Sequence, residues 1–178
     1  MKLTTTSKTI LLALAFQVVW LSLISTAKSD YYWLGPVVGL IAYILILPGL
    51  IRSKIALPLI TISFLGFAYD VTLHQMGIIE LHHNGLALTW LLILWLVFIG
   101  VFYRLFSWLT NLNTVSSFIT GSFGGLAAYI VASLFGAMTI NSLGFFLLLY
   151  GLFWGGGFSL ASRIFIARNL TANRRSSA

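Results

Sequence analysis

Six apolar stretches follow one another along this 178-residue chain, each close to the length an α-helix needs to cross a bilayer. A helix rises 1.5 Å per residue, so a hydrocarbon core of about 30 Å takes about 20 residues. The stretches predict helices over residues 9–27, 33–51, 55–73, 86–106, 115–137 and 142–166. Charged residues make up only 7% of the chain, against about a quarter of a soluble domain. Most of the outer surface must then face something apolar, and no length remains for a soluble domain. The expected fold is all-α: one polytopic transmembrane bundle of six helices over residues 1–168, with 169–178 a polar, basic and unstructured cytoplasmic tail.

The first stretch follows Lys2 and Lys8 and ends near Ser25-Thr26-Ala27, the outline of a signal peptide. Gln17 and Trp20 interrupt it and the rest of the chain is itself membrane-embedded, which favours an uncleaved first helix. Pro36 and Pro58 suit early helical positions, where a missing N–H costs nothing. Pro48 is expected to bend or end the second helix.

Charge placement orients the bundle. With the N-terminus in the cytoplasm, Lys2, Lys8, Arg52, Lys54, Arg104, Arg163, Arg168, Arg174 and Arg175 all fall inside, and only Lys28 falls outside. Basic residues collect on the cytoplasmic side, so both termini are expected there. Tyr31, Tyr32, Trp33 and Trp90 mark the outer boundary, Tyr103 and Trp108 the inner one. The net charge of +7 is thus a matter of topology and of contact with anionic lipid. No basic stripe with interleaved aromatics points to nucleic acid. The absence of cysteine excludes disulfides, thiolate metal sites and a cysteine nucleophile.

Helices five and six are rich in small residues. Gly124, Ala128, Ala132 and Gly136 recur every four positions beside Gly121 and Gly125, and Gly151 and Gly155 repeat the spacing in helix six. Such faces let helix backbones approach closely. They are expected to pack inside the bundle, with a homodimer seam or a narrow lipid-accessible groove as the alternatives.

Chemistry, if present, centres on the outer side. Asp70 and His74 lie one turn apart on one helix face, and Glu80, His82 and His83 follow in a loop. A carboxyl in a spanning helix is costly and normally faces a partner or a wet cavity. Asp70 and His74 are candidates for a proton-handling pair. His74, Glu80, His82 and His83 are candidate zinc ligands, though all come from one short segment. Asp70 is also a candidate anchor for a lipid headgroup or substrate. The plainer alternatives are an Asp70 bonded to a neighbouring helix and a solvated loop over Glu80–Asn84. Gln17 is expected in an interhelical hydrogen bond, and Arg104 as a snorkelling anchor.

The order of several segments resembles a known family. They are Gln17-Val18-Val19-Trp20, Trp33-Leu34-Gly35-Pro36, Gly66-Phe67-Ala68-Tyr69-Asp70, Leu88-Thr89-Trp90-Leu91-Leu92-Ile93-Leu94-Trp95 and Gly124-Gly125-Leu126-Ala127-Ala128-Tyr129. Together they look like the bacterial inner-membrane family known as domain of unknown function 2878, over residues 10 to 166. That family has an Asp at the position of Asp70 and a proline where this chain has Thr89. The resemblance implies a multi-pass protein of the bacterial inner membrane and brings no activity, cofactor or catalytic residue. The expected role is that of an accessory protein acting through membrane lipid, a membrane protein partner or a homo-oligomer, with no resident cofactor. The alternative is an enzyme or proton-coupled small transporter using Asp70 and His74.

Overall fold

In the computed structural model the backbone is described over residues 5–52, 55–83, 88–105 and 112–176, and side chains over 7, 9–52, 55–83, 88–102, 105 and 112–164. Six helices follow in order: α1 (Thr5–Thr26), α2 (Leu34–Arg52), α3 (Ala56–Gln75), α4 (Thr89–Leu105), α5 (Thr114–Leu134) and α6 (Leu143–Ser176). The fold is all-α, as expected, and the helix ends fall close to those expected except at α6. Five helices are long and apolar enough to cross a membrane. The sixth, α4, is described over 17 residues, and the chain on either side of it, 84–87 and 106–111, lies outside the described residues. The chain is a multi-pass membrane protein.

Two short strands were not expected. β1 (Ile79–Leu81) and β2 (Met138–Ile140) pair antiparallel, Ile79 opposite Ile140, Glu80 opposite Thr139 and Leu81 opposite Met138. The same kind of turn delivers each strand. At the end of α3, Gly77 adopts φ +71°, its N–H donates to the His74 carbonyl at 3.0 Å, and the Ile78 N–H donates to the Leu73 carbonyl at 3.1 Å. At the end of α5, Gly136 adopts φ +77°, with bonds of 3.0 Å from Gly136 to Ser133 and from Ala137 to Ala132. Both are Schellman turns, in which a left-handed glycine reverses the chain and satisfies the last helical carbonyls. Gly136 therefore shapes a turn, where the four-residue spacing suggested a packing contact.

The chain forms two compact units. The first holds residues 1–105 and 132–141, the second 106–131 and 142–178. In the first unit α4 packs against α1, α2 and α3. Its Trp90, Leu91, Ile93, Trp95, Val97, Ile99 and Val101 are all buried. A helix apolar on every side belongs in the interior, and contact with three neighbours accounts for this one. The outward faces of α1, α2 and α3 remain apolar, with Val18, Leu45 and Leu65 each more than 60% exposed, as a hydrocarbon environment requires.

The second unit is the pair α5 and α6. The Trp154 side chain lies against Gly125, the Trp154 carbonyl and the Phe158 side chain lie against Gly121, and Phe118 and Ser122 lie against Gly155. A glycine notch filled by an indole is the working element of this seam. The Ser122 hydroxyl donates to the Gly151 carbonyl at 2.7 Å, and the Ser159 hydroxyl to the Thr114 carbonyl at 3.1 Å. Gly151 has ordinary room, Ala128 is half-buried, and Gly124 is exposed with open space where a Cβ would stand. The close-packed face runs through Gly121 and Gly125, and Gly124 points away from it. Ala132 is buried within the first unit.

α2 runs through Pro48 to Arg52, one residue past its expected end. α6 continues to Ser176, so 169–178 is helical up to that residue where an unstructured tail was expected. No glycine or proline follows Gly157 to stop it.

Candidate functional site

The face that α3 turns to α4 carries Ser63, Gly66, Asp70 and Leu73, all buried. These positions are spaced three, four and three residues apart, which places them in one seam along the helix. Gly66 leaves room for the Trp95 ring, since a Cβ there would stand 2.5 Å from two of its carbons. The ring's Nε1–H then donates to Asp70 Oδ2 at 2.7 Å. Two turns from Asp70, the Ser63 hydroxyl is 2.9 Å from the Leu59 carbonyl and 3.2 Å from that of Trp95. Asp70 is 0% exposed. A carboxyl withdrawn from solvent must be hydrogen-bonded to persist in an apolar interior, and an indole N–H at this distance is a strong donor to it.

His74, one turn along, does not join Asp70 in a shared bond. Its Nδ1 is 3.3 Å from the Leu81 N–H and 3.4 Å from the Ile79 carbonyl. The reason lies in the register. Asn141 N–H donates to the Ile78 carbonyl at 3.0 Å, and His82 N–H donates to the Ala137 carbonyl at 2.9 Å. The bonded positions of β1 are therefore 78, 80 and 82, and the backbone groups of 79 and 81 point to the opposite edge. His74 stands at that edge in place of a third strand. When the Leu81 N–H donates to it, Nδ1 is the unprotonated nitrogen of the ring.

His82 fastens the other side. Its Nδ1 is 2.9 Å from the Gly136 carbonyl, to which it can only donate, and its Nε2 is 3.1 Å from the Thr139 hydroxyl. The His82 carbonyl accepts the Trp90 indole N–H at 3.0 Å. Trp90 is thus at the expected end of α4 but is buried rather than displayed as a boundary anchor. Tyr31 and Trp33 are exposed. Glu80 and His83 are exposed, and Asn84 lies outside the described residues, as do the Arg104 and Tyr103 side chains and Trp108.

Of the residues singled out from sequence, the structure brings His74 to the open edge of β1 and His82 to the Gly136 turn, each engaged with the strand pair. Asp70 lies in the α3–α4 seam. Among the described residues no three His, Asp or Glu side chains gather where they could hold a metal ion. Trp95 was the residue missed. It was visible in the sequence as a tryptophan in mid-helix rather than at a boundary, which in a membrane span calls for a polar partner to its N–H.

The family model described as Protein of unknown function (DUF2878) matches residues 9–160. No curated protein and no solved structure matches the chain significantly. The matched stretch takes in α1 to α5, both strands and the first half of α6, with Asp70, Trp95, His74 and His82 all inside it. The chain belongs to this family, Protein of unknown function (DUF2878).

Proposed function

We propose that this is a non-catalytic, accessory multi-pass protein of a bacterial inner membrane, with both termini in the cytoplasm, acting through membrane lipid or a partner protein. The observation that carries this reading is the engagement of three of the candidate groups, Asp70, His74 and His82. Asp70 Oδ2 is taken up by the Trp95 indole, His74 by the edge of β1, and both ring nitrogens of His82 by Gly136 and Thr139. Catalysis or proton coupling needs a titratable group within reach of substrate or water, and Asp70 is fully buried. The orientation rests on nine of the ten basic residues falling on one side.

The competing reading is an enzyme or proton-coupled transporter using Asp70 and His74, and Asp70→Asn separates the two. Asparagine keeps the shape and an acceptor for the indole while removing the titratable proton. For an accessory protein, complementation of the deletion strain by Asp70→Asn follows membrane abundance, and the variant at wild-type abundance is active. Complete loss of complementation at unchanged abundance overturns the accessory reading.

A further inference from the structure

Gln17 sits in the middle of a membrane-spanning segment and faces outward. The apolar window of α1 runs from Thr9 to Thr26, so Gln17 lies about 12 Å from either end at the helical rise, at the depth of the bilayer centre. α1 turns Val19 and Leu23 into the unit, and Gln17 is on the exposed side, with no hydrogen bond among the described residues, while Ile24, two turns further along the Gln17 face, is buried. A primary amide carries two donors and an acceptor, and hydrocarbon supplies none of their partners. The sequence leads one to expect an interhelical bond here, and no described helix of the first unit provides it.

The neighbours of Gln17 say what shape the partner has. Ser7, Ile10, Leu14, Gln17 and Leu21 are spaced three, four, three and four residues apart, the heptad seam of a left-handed helix pair. Ile10, Leu14 and Leu21 are 55%, 59% and 39% exposed. Ser7, Ile10, Leu11 and Leu14 line a shallow open groove along this face. A seam with one polar position fixes register by bringing that residue opposite its like.

We infer that α1 is a homodimerisation helix: two copies of this chain pack in parallel along Ser7–Ile10–Leu14–Gln17–Leu21, with the two Gln17 amides bonded to each other at the centre of the membrane. Two copies inserted with the same topology are related by a two-fold axis along the membrane normal, and a residue on such an axis meets itself. An amide is self-complementary, donor to acceptor in both directions. Among the described residues no other exposed side chain offers this at mid-span in the apolar windows of α2 and α3, whose exposed residues are hydrophobic, proline or threonine, together with the terminal Arg52 and Gln75.

The chain has no cysteine, so single cysteines report proximity cleanly. Full-length protein in lipid nanodiscs loaded with two copies, and in native membranes, is oxidised after Leu14→Cys, Leu21→Cys or, as control, Leu45→Cys on the exposed face of α2. Disulfide-linked dimer is expected at 14 and 21 and not at 45. Adding Gln17→Leu lowers the dimerisation constant about three- to thirtyfold, the range for one interhelical polar bond in a membrane, while Gln17→Asn largely restores it. Leucine is compatible with lipid at this position, so monomer abundance is unchanged. Equal linkage at all three sites, dimer undiminished by Gln17→Leu, or linkage at 14 and 21 only to a different protein overturns the inference.

Discussion

The bond between Trp95 and Asp70 yields the most exacting prediction of the fold. Trp95→Phe removes the indole N–H and leaves Oδ2 of a fully buried carboxyl without that donor. Asp70→Leu does the reverse and strands the N–H. A hydrogen bond within a protein contributes about 0.5–1.5 kcal/mol net, and side-chain bonds between helices in membranes average about 0.6 kcal/mol. At 2.7 Å and wholly out of solvent, this bond is expected at the upper end, with a coupling energy of about 1–1.5 kcal/mol. Each single change also carries costs of its own. Phenylalanine leaves space beside Gly66, and Asp70 makes contacts beyond Trp95. A double-mutant cycle subtracts such terms, because they recur in the double variant. The assay is reversible unfolding in mixed micelles of mild detergent and dodecyl sulfate, followed by circular dichroism, on the four proteins. A coupling energy under about 0.5 kcal/mol would refute the reasoning, since ordinary packing neighbours reach that value.

In the second unit, Gly125→Leu lowers the thermal stability of the detergent-solubilised protein strongly and Gly124→Leu leaves it nearly unchanged, since Trp154 fills the first site and nothing stands near the second. Equal effects would place the seam elsewhere. Glu80→Cys with Thr139→Cys forms a disulfide on mild oxidation, because directly opposed residues of a bonded pair have Cα atoms about 5.5 Å apart. Efficient linkage between Glu80→Cys and Ile140→Cys, with none at 80 and 139, would contradict the register. Reporter fusions at residues 30, 53, 80, 110, 140 and 178 alternate out, in, out, in, out, in. An external signal at 178 would invert the orientation drawn from the basic residues.

The helices could be traced from sequence because bilayer thickness and apolar run length dictate them together. The strand pair could not. Three residues such as Ile79–Leu81 carry no period, and nothing local says that they meet a segment 59 residues away. Gly77 and Gly136 were the available signal, each two residues before a strand. In the small-residue helices, Gly124 and Gly125 are one position apart, about 100° around the axis, and both sit in four-residue repeats. Only the position of Trp154 decides between them. Asp70 was found because a carboxyl in a span is conspicuous. Its partner was not, because a tryptophan among leucines and isoleucines looks like more of the same apolar surface.

The first unit is discontinuous, and this sets an order of events during its synthesis. The edge of β1 that carries the Ile78 carbonyl and the His82 N–H is bonded by Ala137 and Asn141. At about 5–20 residues per second, the ribosome delivers those partners several seconds after β1. Until then α1 to α4 are complete in length, yet His82 has neither Gly136 nor Thr139 to bond. A chain halted before Gly136 thus keeps the 78–80–82 edge of β1 unbonded, an edge that the finished chain covers.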